Sequence, residues 1–265
     1  MRSIPAAALA LSIATLSAAP AVPLPAPQDA PPTAPAAAPA APPARAKGFT
    51  VEELPAVDGK SSVPSEVSEP FAKLLAIEGL RVLAPDGKVR AEFWFRLQMP
   101  LLAKAGGVSS VLLERLVPGS FVGIVRTPGR TNDYRDQEIE AGVYALRYYH
   151  QPSDANHLGT SDSRDFFLLT SLAEEKSPAP IAAKDDLIPL AVAASPSDHA
   201  LCLYVAPATT PPPSAGFQGG ACIVKRGEHD EQALEITFAA SVEGTETREL
   251  ELLRLAIVID GHTAH

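Results

Sequence analysis

The chain has 265 residues and a formal net charge of −9 at pH 7. Because it is acidic and lacks a basic patch, the composition excludes nucleic acid and anionic lipid surfaces as electrostatic partners and leaves cations as partners. The hydrophobic fraction of 46% overstates the core, since many alanines lie in an N-terminal Pro/Ala-rich segment.

Residues 1–21 have the three-part layout of a secretory signal peptide. Arg2 precedes an apolar run from Ala6 to Ala19, and Ala19 and Ala21 supply the small residues of a cleavage site. The run is shorter than the roughly 20 apolar residues of a membrane span, and no later run is long enough to span. We therefore expect an exported protein, periplasmic or extracellular, without a transmembrane segment in the mature chain.

Residues 22–47 are almost entirely proline and alanine. So dense a set of prolines cannot support helices or sheet ladders, which predicts a disordered, polyproline-II-like linker. The remaining residues, 48–265, are enough for one domain with a sizeable core.

The elements of residues 48–265 are mainly strands, and the turn Pro85-Asp86-Gly87 predicts the clearest hairpin. Few helices separate the strands, so we expect antiparallel pairing. The predicted fold is mainly β, an antiparallel β-sandwich, Ig-like or jelly-roll-like, with one or two short helices. In chain order the elements are a helix at Ser65–Leu75, strands at Leu80–Ala84 and Val89–Leu97, a helix or strand at Val108–Leu116, strands at Phe121–Val125, 142–150 and 165–169, a helix or irregular connector at Asp185–Ala194, and strands at His199–Val205, Ala221–Lys225, Leu234–Ala240 and Glu249–Ile259.

The stretch from Asp133 to Leu169 concentrates aromatic, basic, acidic and imidazole side chains. Residues 142–150 alternate in the manner of a strand, and a short apolar run after Asp165 predicts the next strand. The loop between them, Gln151–Arg164, is rich in residues that favour turns through side-chain to backbone hydrogen bonds. The two faces of the first strand carry Val143, Ala145, Arg147 and Tyr149 on one side and Tyr144, Leu146, Tyr148 and His150 on the other.

Motif residues run through this stretch: Asp133, Tyr134 and Arg135; Gly142, Val143, Tyr144, Leu146, Arg147 and Tyr148; Gln151, Pro152, Asp154, His157 and Gly159; and Arg164, Asp165 and Phe166. On these residues the chain resembles an uncharacterised family of secreted bacterial proteins with a DYR, PGVYTLRY, QPxDGxHxG and RDF pattern. The likeness extends from about Ile77 to Leu172, with departures at Ala141, Ala145 and Ala155. It implies a common fold and no particular activity.

The strongest candidate site is a set of histidines and aspartates around the loop. Imidazole and carboxylate are ligands for zinc or copper, and carboxylates with carbonyls suit calcium. The spacing matches no established site, and aspartates that cap turns and pair with arginines explain the same residues. The candidate metal or ligand residues are His150, Asp154, His157, Asp162 and Asp165, with Arg135 and Arg164 in support.

Cys202 and Cys222 are the two cysteines of the chain. They lie on predicted strands that flank a turn region at Thr209–Pro213, and an exported protein meets conditions in which thiols oxidise. We therefore predict a disulfide between them.

No local motif of a hydrolase, nucleotide-binding protein, haem protein or metalloprotease is present, so no catalytic residue is assigned. We expect a non-enzymatic binding or interaction module whose partner is another envelope protein or a small ligand. Two alternatives stay open: a metal-dependent or carbohydrate-active hydrolase that uses the 150–165 loop, and a structural envelope protein. A divalent metal, zinc, copper or calcium, is the cofactor that the loop residues suggest.

The metal hypothesis predicts that the wild-type protein binds zinc, copper or calcium and that His157→Ala abolishes the binding. Affinity should fall as the pH drops through about 6.5, because a protonated imidazole cannot coordinate a metal. Metal analysis and titration calorimetry measure both effects. A wild-type protein without bound metal rejects the hypothesis, and equal binding by both proteins moves the site elsewhere, to His262 and His265.

Overall fold

A computed structural model describes residues 48–103, 112–151, 164–210, 220–226, 231–242 and 251–261. The predicted signal peptide at 1–21 and linker at 22–47 lie outside these residues. Neither α-helix in the described part of the chain is long and apolar enough to cross a membrane.

The described residues form a mainly β fold with two short α-helices, as the sequence predicts. The helices are α1 (Glu69–Ala72) and α2 (Lys184–Ala193), and a 3-10 helix spans Leu112–Arg115. The strands are β1 (Thr50–Leu54), β2 (Gly79–Leu83), β3 (Val89–Phe95), β4 (Met99–Leu101), β5 (Phe121–Thr127), β6 (Thr131–Asn132), β7 (Glu138–Ile139), β8 (Gly142–His150), β9 (Asp165–Ser171), β10 (Cys202–Pro207), β11 (Cys222–Arg226), β12 (Glu231–Val242) and β13 (Glu251–Asp260).

One sheet contains eleven of these strands, in the order β1-β2-β3-β5-β8-β9-β10-β13-β12-β11, with β4 paired to β12 off this path. The pairing of β4 with β12 is parallel and the others are antiparallel. The sheet curls until β1 approaches β11. The expected sandwich thus takes the form of one continuous curled sheet, while β6 and β7 form a separate small hairpin.

Strand alternation places the largest apolar cluster on one face of the curled sheet. On β8, Tyr144, Leu146 and Tyr148 belong to this cluster, whereas Ala145 belongs to a smaller cluster on the opposite face. The two-residue period predicted for β8 is therefore confirmed. Because strands from the whole path contribute to the large cluster, it forms the interior of the curled sheet.

Two smaller clusters cover the outer face of the sheet. Phe71 of α1 packs there with Trp94 of β3, and the buried Trp94 indole N–H donates a hydrogen bond of 2.8 Å to Oγ of Ser62. Leu187 and Ala191 of α2 belong to the other outer cluster. The helices thus cover the apolar side chains on the outer face of the sheet.

The predicted elements differ from the observed ones mainly at their ends and where strands are short. Helix α1 is limited to four residues and has a proline in its first turn, and α2 contains Pro189. The sequence missed β1, β4, β6 and β7. The last three have only two or three residues, too few to show a period of two.

The predicted disulfide is wrong, because Cys202 on β10 and Cys222 on β11 are not joined. Two strands, β13 and β12, lie between β10 and β11 in the sheet. Neighbouring strands are about 4.8 Å apart, so three spacings separate the cysteines by about 14 Å. A disulfide requires a Cα separation of about 4.4–6.8 Å. Although β10 and β11 are consecutive along the chain, they are not neighbours in the sheet.

A fully buried arginine on β8 ties three parts of the chain together. The Arg147 guanidinium forms a two-point ion pair with the buried Glu175 carboxylate, through Nε at 2.9 Å and through Nη2. Its Nη1 donates to the carbonyl oxygens of Gly119 at 3.0 Å and Ala179 at 2.7 Å, and Nη2 donates to that of Ser177 at 2.7 Å. All five N–H groups of the guanidinium are therefore paired. The hydrogen bonds to Ser177 and Ala179 hold the segment that precedes α2 against the sheet.

We predict that Arg147→Met lowers the free energy of unfolding by about 3–5 kcal/mol, because it leaves a buried carboxylate and several carbonyl oxygens without their donor. Urea denaturation followed by circular dichroism measures the change. The matched control is Arg130→Met, which removes an exposed arginine paired with Glu138 and should cost under about 1 kcal/mol. Equal losses in the two variants would contradict the role of Arg147.

Candidate functional site

The β6–β7 hairpin positions Arg135 through a buried aspartate. Oδ1 of Asp133 accepts hydrogen bonds from the backbone N–H groups of Arg135 at 2.8 Å and Gln137 at 3.0 Å. Asp136 adopts a positive φ of 61° in the same turn. Burial raises the pKa of the Asp133 carboxyl, against the opposing effect of these hydrogen bonds. The turn directs the Arg135 side chain onto the outer face of the sheet, where Nη2 donates to the carbonyl oxygen of Ala200 at 2.7 Å.

Two of the predicted site residues, His150 and Asp165, meet across the paired ends of β8 and β9. Nδ1 of His150 lies 2.9 Å from Oδ1 of Asp165, and because a carboxylate can only accept, Nδ1 is the donor of this hydrogen bond. The Tyr148 hydroxyl also donates to Oδ1 of Asp165 at 2.6 Å. The arrangement fixes the orientation of the imidazole.

Other predicted site residues have different positions. Asp154, His157 and Asp162 lie outside the described residues. Arg164 closes the base of the loop, since its Nε donates to the Gln151 carbonyl oxygen at 2.7 Å. In the part of the chain that the structure describes, no group of three or more histidine, cysteine or acidic residues could hold a metal ion.

Beside Arg135 lies a cavity of about 280 Å³ on the outer face of the sheet, which we call the Arg135 hollow. Its floor is aromatic and apolar, and the ring of Tyr134 stacks on that of Phe166 with centroids 6.1 Å apart. Helix α2 forms one wall. The lining residues are Tyr134, Arg135, Tyr149, Gln151, Phe166, Leu168, Lys184, Ile188, Ala200 and Cys202.

A second cavity of about 220 Å³, the His150 hollow, adjoins the first and shares Tyr149 and Lys184 with it. The N-terminus of α2 opens onto it. The N-cap residue Ala183 offers no side-chain hydrogen bond, so the first N–H groups of the helix lack a side-chain partner. The lining residues are Pro118, Gly119, Tyr149, His150, Ile181, Ala182, Lys184 and Leu187.

The hollows have a cationic lining, with the carboxylates of Asp133 and Asp165 behind it, next to Arg135 and His150. Arg135 and Lys184 line them, and no carboxylate is among their lining residues in the described part of the chain. Nε of Arg135 is buried and has no hydrogen-bond partner there. The positive end of α2 is offset by Asp185 and Asp186 in its first turn. The two cationic side chains of the lining therefore make the hollows suited to an anion.

The sequence predicted Arg135 and His150 as site residues. It did not assign to the site Lys184 or the segment Asp185–Ala194, which was predicted as a helix or irregular connector. Lys184 lies about fifty residues after Arg135 along the chain and belongs to no local motif. Only the packing of α2 against β9 brings it to the hollows. The only feature of the sequence that pointed to Lys184 was a basic residue at the start of a predicted helix without a capping side chain. This feature is too common in proteins to identify a binding site.

Comparison with known proteins gives no relative on which to base a function: no family model, curated protein sequence or solved structure matches this chain.

Cys202 lines the Arg135 hollow, but its thiol is expected to be unreactive. Burial raises the pKa of its thiol to about 12, although the nearby Arg135 charge opposes the shift. Its Sγ lies 4.0 Å from Oδ2 of Asp133. The thiolate is the reactive form of cysteine, so this thiol acts as a small apolar surface.

We predict that iodoacetamide at pH 8 leaves Cys202 of the native protein unmodified while it alkylates the half-buried Cys222. A pKa near 12 leaves about a thousandfold less thiolate than an ordinary cysteine has. Mass spectrometry of peptides after timed labelling measures the two rates, and labelling in urea provides the control in which both cysteines react. Rapid alkylation of Cys202 in the native protein would contradict the burial of its thiol.

Proposed function

We propose that the protein is a non-enzymatic binding module of an exported compartment, and that the Arg135 and His150 hollows receive a small anionic ligand with a planar or apolar body. One observation carries the proposal. Two cationic side chains, Arg135 and Lys184, line an aromatic cavity from which carboxylates are absent among the described lining residues.

The geometry of Arg135 supports an anionic partner. One nitrogen of its guanidinium is held by Ala200, which limits its mobility, while the buried Nε lacks a partner among the described residues. The side chain is half-buried and lines the Arg135 hollow, so a ligand oxygen there can accept a hydrogen bond from the cationic guanidinium. Charge-assisted hydrogen bonds of this kind are the strong ones.

The shape and lining of the hollows support a ligand larger than a simple ion. Typical small-molecule pockets have volumes of about 300–1,000 Å³ and are mainly apolar with a few directed polar groups. The two adjoining cavities of about 280 and 220 Å³ approach this range. Tyr134, Tyr149 and Phe166 give the Arg135 hollow an aromatic lining that suits an apolar or planar body.

The wider setting of the proposal comes from the sequence. The N-terminal signal layout and the likeness to secreted bacterial proteins support an exported protein, with a Pro/Ala-rich spacer ahead of the domain. The hydrolase alternative depends on Asp154, His157 and Asp162. Among the described residues, only His150, whose imidazole is oriented by Asp165, supports it. The structural-protein alternative requires no ligand.

We predict that benzoate, 4-hydroxybenzoate or phenylacetate binds the wild-type protein and that Arg135→Gln weakens the binding at least about tenfold, since hydrogen bonds to charged groups contribute about 1.5–3 kcal/mol. Lys184→Gln should cause a smaller loss because its side chain is exposed. Titration calorimetry measures the affinities, with benzyl alcohol as the uncharged probe.

The matched control is Arg130→Gln, an exposed arginine outside both hollows, which should bind like the wild type. Absence of binding by all three anions rejects the proposed ligand class. Binding that is equal in Arg135→Gln, or equal for benzyl alcohol, rejects the role of the cationic lining.

A further inference from the structure

A half-open cavity of about 110 Å³, which we call the seam cavity, lies where the two ends of the curled sheet meet. Residues of β2 and β3, near one end of the strand order, and of β12, near the other end, line it. On β12, β11 pairs with residues 231–235 and β4 pairs with residues 240–242. Residues 236–239 between them pair with β13 and have no second strand partner in the described part of the chain. This gap is too short for a further strand, but it leaves space for a small molecule.

Phenylalanine rings form the inner wall of the seam cavity. Phe93 and Phe95 of β3 stack with centroids 5.5 Å apart, and Phe238 of β12 packs edge to face on Phe95 with centroids 4.9 Å apart. All three are buried and belong to the large apolar cluster inside the curled sheet. Leu80 and Ile236 also line the cavity. Aromatic rings prefer offset or edge-to-face neighbours, so this wall favours a further aromatic ring.

The mouth of the seam cavity carries charges of both signs. Leu97, which is 45% exposed, lies there. The exposed carboxylates of Glu53 and Glu78 and the half-buried guanidinium of Arg96 line the same mouth. The carboxylates repel an anion and the arginine repels a cation. A charged ligand would also lose its hydration against the apolar inner wall, where no side chain can pair with it. The cavity therefore suits a neutral ligand.

We propose that the seam cavity binds a small neutral molecule with a single aromatic ring. Its volume is somewhat below that of a dry apolar cavity of about 150 Å³ that binds benzene or xenon in another protein. It is also well below the roughly 300–1,000 Å³ of pockets for drug-sized ligands. The volume thus selects one ring, and burial of that ring against Phe93, Phe95 and Phe238 provides the affinity.

Other occupants fit the seam cavity less well. A buried water molecule needs two to four polar partners, whereas the inner wall consists of aromatic and aliphatic side chains. A molecule with two fused rings exceeds the volume. The seam cavity shares no lining residue with the Arg135 and His150 hollows, and its ligand is neutral. This inference is therefore independent of the function proposed above.

The experiment uses the full chain and fluorobenzene, whose binding is followed by fluorine NMR. Fluorobenzene should bind saturably, and benzene should displace it. Excess benzoate should not displace it, because the carboxylates at the mouth repel an anion. Fluoronaphthalene should bind the wild-type protein at least about tenfold more weakly than fluorobenzene, since its second ring does not fit and stays outside the apolar wall.

The variant Ala221→Leu should bind fluorobenzene at least about tenfold more weakly, because the larger side chain fills the cavity. Ala221 lines the cavity and is half-buried against the interior cluster. The matched control is Ala194→Leu. Ala194 is half-buried against the same cluster but does not line the cavity, so the control should bind like the wild type. Circular dichroism verifies that both variants are folded.

A second variant, Phe238→Val, tests the site through a gain of binding. Removal of the ring enlarges the cavity, so fluoronaphthalene should bind this variant at least about tenfold more tightly than the wild type. Unfolding cannot produce such a gain, so this result decides the matter if Ala221→Leu does not fold. Absence of saturable fluorobenzene binding by the wild type, or its displacement by benzoate, overturns the proposal. Wild-type affinity for fluorobenzene in folded Ala221→Leu, or unchanged fluoronaphthalene binding in Phe238→Val, also overturns it.

Discussion

The buried guanidinium of Arg147 is the constraint on which the outer face of the molecule depends. Its five donors are shared between Glu175 and three backbone carbonyl oxygens, so the segment that precedes α2 can take only one path across β8. Gly119 is part of the same junction, because a Cβ there would lie 1.9 Å from the carbonyl oxygen of Ile181. Once this segment is fixed, α2 lies where its N-terminus and Lys184 form the wall of the two hollows.

The same device, a buried carboxylate paired with arginine, recurs at two other places in the sheet. Glu92 binds Arg81 and Arg126, and Glu235 binds Arg226 while its oxygens accept from Thr209 and Thr210. A buried charge is costly unless it is paired and hydrogen-bonded. These carboxylates therefore hold strands and connections together.

The hollows illustrate how helix packing on a curled sheet leaves a cavity. Helix α2 packs beside the ends of β8 and β9 and forms one wall of the hollows, so the cationic side chains Arg135 and Lys184 line cavities whose other lining residues are mainly aromatic or apolar.

The sequence by itself determined what depends on neighbours along the chain: the mainly β class, the two-residue period of β8, the Pro85-Asp86-Gly87 hairpin, and the presence of Arg135 and His150 in a polar, aromatic region. Each follows from local propensity and alternation. The tertiary structure decided which strands lie side by side. That order separates Cys202 from Cys222 by two strands, pairs Arg147 with Glu175, and brings Lys184 to Arg135. Such contacts depend on long-range strand order and helix packing, which no local pattern encodes, because many sheet topologies satisfy the same alternation of residues.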